Sequence, residues 1–293
     1  MSGIILKNSF IDAAGDLLAI LPLLFVTFFI IEVVEFFYFE KVSSFVKKSG
    51  KYAPFIGSII ASFPQCGFSI IASVLYIRGL ITRGTLLAVY LSTSDEAIPV
   101  LLSAPQQYKL VLPIVAIKVM IGIIAGYIFD FIFPKKQTPI LQDIEISQKG
   151  CCEHTLESKN KKDLIVHPVV HTLNIGIFIL LITFFINIAL AKCGSAEALG
   201  GYLMSSSPLQ PVFAALFGLI PNCAISVALV MLYINNTIAF CSVIAGLCAN
   251  SGLGIWVVIS KNKDIKDSLA LVLSLFLISA LSGVILFLVQ KFI

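Results

Sequence analysis

Apolar runs long enough to cross a bilayer recur along the whole chain, separated by short polar stretches. Leu17–Phe37, Leu110–Phe133, Val166–Ala191 and Leu269–Val289 are the clearest, each near or above the roughly 20 residues a spanning helix needs. Two further apolar stretches are broken. The first has arms Pro54–Phe63 and Cys66–Ile77 on either side of Pro64-Gln65. Arms of that length reach only about 15–18 Å as helix, against a hydrocarbon core of roughly 30 Å. They predict a re-entrant hairpin whose tip is Pro64-Gln65-Cys66, the alternative being one kinked span over 52–77. The second stretch, around Pro221-Asn222-Cys223, has the same form.

These two stretches are copies. At a constant offset of 157 residues, Pro54 pairs with Pro211, Pro64 with Pro221, Cys66 with Cys223 and Ser69 with Ser226. Leu75-Tyr76-Ile77 pairs with Leu232-Tyr233-Ile234, Ile81 with Ile238, Ala88 with Ala245 and Ser94 with Ser251. Ten identities over 41 positions without a gap exceed what two apolar stretches share by chance. Broken apolar segments in corresponding positions of two halves are the best sequence pointer to a transporter's central site.

Positive charge sets the topology. With hairpins, fifteen basic residues fall on one side: Lys41, Lys47, Lys48, Lys51, Arg78, Arg83, Lys135, Lys136, Lys149, Lys159, Lys161, Lys162, Lys261, Lys263 and Lys266. Four fall on the other, namely Lys7, Lys109, Lys192 and Lys291, while Lys118 lies within a span. With continuous kinked spans the same charges divide ten to nine, which is no bias. Three crossings and a hairpin per half then invert the second half relative to the first. The sequence predicts an all-α membrane protein of two inverted-topology repeats, each with long transmembrane helices, a Pro-broken re-entrant hairpin and an interrupted helix. Residues 1–134 form the first repeat, 135–163 a cytoplasmic linker and 164–293 the second repeat.

Composition narrows the class further. At 58% hydrophobic and 12% charged, the chain is unlike a soluble domain, in which about a quarter of residues are charged. The first apolar run starts late, is long and lacks a small-residue cleavage site, so it reads as a retained span. No basic stripe with interleaved aromatics appears, which argues against nucleic acid. The expected partners are the lipid bilayer, a metal or metalloid ion and protons, with a homodimer left open. No resident cofactor is expected, only the transported ion.

Candidate chemistry gathers at the breaks. Ser92-Thr93-Ser94-Asp95-Glu96 interrupts the apolar stretch 81–103. Adjacent carboxylates deep in a membrane cost several kcal/mol unless paired, hydrated or metal-bound; alternatively, one of them caps the helix starting near Ala97. The corresponding stretch Ala249-Asn250-Ser251-Gly252-Leu253-Gly254 is uncharged and glycine-rich, suited to an unwound backbone or a packing seam. Gln65 and Asn222 add amide oxygens, Cys66 and Cys223 a matched pair of thiols. The candidate substrate ligands are therefore Asp95, Glu96, Ser94, Gln65, Cys66, Asn222, Cys223 and Asn250. Asp95, Glu96 and Glu32 are the proton-coupling candidates, and Lys118 is a cation able to neutralise one carboxylate. In the linker, Cys151, Cys152 and His154 form a compact cluster, either inert or an accessory metal-capture site, without structural-zinc spacing.

Phe63-Pro64-Gln65-Cys66-Gly67, Leu75-Tyr76 through Arg78-Gly79, Ser92-Thr93-Ser94-Asp95-Glu96-Ala97-Ile98-Pro99, Ile220-Pro221-Asn222-Cys223-Ala224 and the stretch from Ala245 to Gly254 together resemble the ten-helix (10TM) heavy-metal exporter family. That resemblance covers nearly the whole chain. It implies a non-enzymatic efflux protein of the prokaryotic inner membrane, with arsenic and manganese as the substrates associated with the family. Counting each hairpin as two helices gives five segments per half, in agreement with ten. No nucleotide-binding motif is present, so an ion gradient, most simply of protons, is the expected driving force. Carboxylate and amide oxygens suit manganese, thiols suit softer ions such as zinc, copper or arsenite, and the mixed set suits a borderline divalent cation, with a Mn-like ion favoured over arsenicals. The alternatives are arsenite efflux and a membrane thiol-disulfide carrier in which Cys66 and Cys223 cycle between dithiol and disulfide.

Overall fold

The computed structural model describes residues 50–64, 67–94, 96–103, 107–133, 163–193, 207–262 and 264–292, with scattered positions between 10 and 29. The linker over 135–162 lies outside the described residues. Nearly everything described is helical. Three stretches among these residues are long and apolar enough to cross a membrane: Tyr108–Ile132, Phe240–Lys261 and Ile265–Phe292.

In chain order the helices are α1 (Ala53–Ala61), α2 (Gly67–Ile77), α3 (Arg83–Ser92), α4 (Ala97–Ser103) and α5 (Val111–Ile132). They continue as α6 (Asp163–Cys193), α7 (Leu209–Gly218), α8 (Cys223–Ile234), α9 (Phe240–Ala249), α10 (Gly254–Lys261) and α11 (Ile265–Phe292). Each break falls where proline or a polar cluster denies the helix its next hydrogen bond. Thus α1 and α2 part around Pro64, α3 and α4 around Ser94, α7 and α8 around Pro221, and α9 and α10 around Asn250.

Helices apolar or small on every side belong in a core, and α3 and α9 occupy it. Every residue of α3 from Gly84 to Ser92 is buried, as is every residue of α9 from Cys241 to Ala249. The apolar window of Phe240–Lys261 is 78% buried, whereas those of Tyr108–Ile132 and Ile265–Phe292 are 28% and 22% buried. The broken stretch is therefore internal, and the two long helices turn most of their surface outward.

The packing within each half follows from small residues. Ser58 Oγ donates to Ala88 O at 3.4 Å and Ser94 N to Ala61 O at 3.1 Å, so α1 runs alongside α3 in the same direction. α5 runs antiparallel to both. A Cβ at Gly126 would meet Ala88 Cβ at 2.8 Å, Gly84 O at 2.9 Å and Pro54 Cβ at 3.1 Å. In the second half α7, α9 and α11 pack together likewise. A Cβ at Gly283 would meet Ala245 Cβ at 2.6 Å, Pro211 Cβ at 2.7 Å and Cys241 O at 3.1 Å. All four residues of this contact stand 157 positions after those of the first.

The turns that follow α2 and α8 also match. Gly79 and Asn236, again 157 apart, hold the left-handed conformation at φ 70° and 56°. Leu80 N donates to Leu75 O at 2.8 Å, and Thr237 N to Leu232 O at 2.9 Å, closing the same helix-ending motif. These turns return α2 and α8 to the starts of α3 and α9. Arg83 Nε donates to Tyr76 Oη at 3.1 Å, and the rings of Tyr233 and Phe240 lie 6.0 Å apart at the corresponding positions.

Between the halves, α2 packs on α10 and α8 on α4. Ser73 Oγ, 2.6 Å from Tyr90 Oη, donates to Gly254 O at 2.9 Å. Gly254 has no room for a side chain, because a Cβ would lie 2.7 Å from Ser69 O. At one end of the molecule, Arg83 forms an ion pair with Asp267. Asp267 Oδ2 also accepts from Tyr76 Oη at 2.5 Å and from Asn262 Nδ2 at 3.0 Å. The start of α3 thereby sits beside the end of α10, and the two broken stretches cross the molecule in opposite directions.

Candidate substrate site at the helix breaks

The breaks are held at one level by a single ammonium. Lys118 projects from the middle of α5 and is 2% exposed. Its Nζ donates to Thr93 O at 2.5 Å and to Leu247 O at 2.8 Å. Thr93 ends α3, and Leu247 lies in the last turn of α9. The last carbonyls of a helix have no amide in a following turn, and the helix dipole makes this end negative, so a cation is favoured there.

Each proline turn is fastened to the helix break that follows it. Pro64 and Ser94 form a parallel bridge, in keeping with the Ser94 N to Ala61 O bond. Asn250 Nδ2 donates to Asn222 O at 3.4 Å, while its Oδ1 accepts from Gly252 N at 3.0 Å and shapes the turn after α9. Asn222 caps α8, its Oδ1 accepting from Ala224 N at 2.9 Å. That carbonyl oxygen retains one further lone pair for a ligand.

Among the expected ligands, Glu96 immediately precedes α4, is 4% exposed and accepts from Val100 N through its carbonyl at 3.2 Å. Ser94 is 1% exposed and its counterpart Ser251 2%. Both hydroxyls lack a hydrogen-bond partner among the described residues. A buried polar group left unpaired costs about 1–3 kcal/mol. Two such hydroxyls stand at matching positions, one in each break. Ser251 was legible as the repeat partner of Ser94, although only Ser94 stood among the expected ligands.

Several expected positions lie outside the described residues: Gln65, Cys66, Asp95, Glu32, Cys151, Cys152 and His154, together with the side chain of Cys223. Among the described residues no three His, Cys, Asp or Glu side chains come together as a metal cluster. Cys241 and Cys248 are free thiols packed wholly inside the core, as small apolar residues would be.

The sequence marked Lys118 as able to neutralise one carboxylate and did not foresee its carbonyl partners, nor the polar group of Tyr76, Arg83, Asn262 and Asp267. Neither has a local signature, since Tyr76 and Asp267 stand 191 residues apart.

A sequence model of the family described as "Putative, 10TM heavy-metal exporter" matches residues 7–193 and again residues 160–292. No curated protein and no solved structure matches the chain.

Proposed function

The chain belongs to the ten-helix heavy-metal exporter family, and from that membership we propose that it is a secondary-active exporter working through a midplane site where the helix breaks meet. Its substrate is a Mn-like divalent cation, exchanged for protons. The observation that carries this reading is the burial of Glu96 in one break together with the Lys118 bonds that bring the other break to the same level. A buried carboxylate and a buried hydroxyl in the same break supply hard oxygen ligands, the preference of manganese and similar ions.

In this reading the two halves are inverted repeats. The matched Gly126 and Gly283 contacts and the matched turns at Gly79 and Asn236 support the duplication. The ion pair between Arg83 and Asp267 supports the inversion, since it sets the start of one broken stretch beside the end of the other. The return of α2 to Arg83 through Tyr76 supports the re-entrant hairpin. Alternating access then consists of the halves rocking about the fixed site. Asp95 and Glu96 take protons when the cation leaves and release them when it binds, titrating as a coupled pair. The fifteen-to-four division of basic residues supports a linker on the cytoplasmic side of a prokaryotic inner membrane.

Sealed vesicles loaded with a metal panel and given a pH gradient test the proposal. Manganese or a similar divalent ion should move against its gradient and carry protons the other way. Transport of arsenite alone would transfer the site to the metalloid, and transport of neither would reject the exporter reading.

A further inference from the structure

The bonds made by Lys118 describe a binding site of another kind. Sodium and potassium ions in membrane proteins are held by carbonyl oxygens of unwound backbone and by the C-terminal ends of half-helices. Thr93 O and Leu247 O are carbonyls of that type, one from each half of the chain, at the ends of α3 and α9. The ammonium that joins them is buried, and α5 carries it into the core on a span whose one other charged residue, Asp130, lies in its last turn. At the position 157 residues later in α11 stands Leu275, also buried, so the duplicated helix has no such group. Lys118 thus breaks the internal symmetry of the molecule where a cation is favoured.

We infer that Thr93 O and Leu247 O belong to a monovalent-cation site that the protein occupies permanently with its own tethered cation, Lys118. The ammonium does there what sodium or potassium does in a protein that borrows one from solution: it neutralises two helix C-termini and clamps the two breaks together. This holds whichever ion the chain exports. It follows that the wild-type protein has no use for sodium or potassium at this position, and that removing Lys118 uncovers a site for them.

Thermal unfolding of the purified full-length chain in lipid nanodiscs tests this without any transport measurement. Wild type, Lys118→Ala and Lys118→Met are compared in chloride salts of sodium, potassium, methylammonium or N-methylglucamine at one ionic strength. The Tm of the wild type should not depend on which cation is present. In N-methylglucamine both variants should unfold several degrees lower. Sodium or potassium should restore much of that loss to Lys118→Ala along a saturable curve, and less to Lys118→Met, whose side chain still fills the space. Recovery with methylammonium alone would overturn the inference, because it would make Lys118 a hydrogen-bond donor rather than the occupant of a cation site. A wild-type Tm that rises saturably with sodium or potassium would overturn it too. So would failure of both variants to fold in every salt, since the site requires rescue.

Discussion

Ser94 and Ser251 are the residues whose cost to the fold is easiest to isolate. Each is a buried hydroxyl without a partner among the described residues, so replacing it with Ala breaks no hydrogen bond to any of them. Ser94→Ala and Ser251→Ala should leave stability unchanged or raise it by about 1 kcal/mol, as read by thermal unfolding. If the hydroxyls serve the transported ion, the same variants should weaken its binding by about tenfold, the equivalent of one lost hydrogen bond, as read by titration calorimetry. A drop in stability with unchanged metal binding would make both serines purely structural. Cys66 and Cys223 pose the parallel question for thiols. The Cys66→Ser and Cys223→Ser variants keep a small polar group at each place, so an oxygen-tolerant site should retain partial export. A disulfide carrier should lose all activity along with its redox-dependent shift in gel mobility.

Among the helices, contact is governed by small residues in the long outer helices and by one ion pair at the end of the molecule. Gly126 and Gly283 each admit a neighbouring helix at a distance that excludes a side chain. Gly126→Leu and Gly283→Leu should each destabilise by about 2–3 kcal/mol through overpacking, measured by chemical denaturation in mixed micelles. The ion pair between Arg83 and Asp267 is nearly sequestered, with side chains 23% and 4% exposed. Asp267→Asn should cost about 2–3 kcal/mol, somewhat below the loss for a fully buried pair. Exchanging the two charges, in Arg83→Asp combined with Asp267→Arg, should recover part of it.

Helix positions were legible in the sequence because apolar length and proline write them locally. The breaks near Pro64, Ser94, Pro221 and Asn250 follow from those signals. What could not be read was the partner of each polar group. Lys118 reaches Leu247 O across 129 residues, and no periodicity encodes such a bond. The carboxylates and amides stood out because charge in an apolar run is costly wherever it falls. The backbone carbonyls did not, because every residue has one.

For the molecule as a whole, the proposed topology has the halves inverted and the linker facing the cytoplasm, and labelling tests it. Single cysteines introduced near Ser195 and at the C-terminus should react with an impermeant thiol reagent applied from outside, while one near Lys159 stays protected until the membrane is opened. External labelling near Lys159 would reverse the orientation. The central claim, that Asp95 and Glu96 exchange a divalent cation for protons where the breaks meet, is tested most directly in proteoliposomes carrying Asp95→Asn or Glu96→Gln. Both changes keep shape and hydrogen bonding while removing charge, so the protein should fold. Metal-driven proton movement should be abolished by either. Export of metal by both neutralised variants with unchanged pH dependence would contradict the claim and leave the pair as a helix cap.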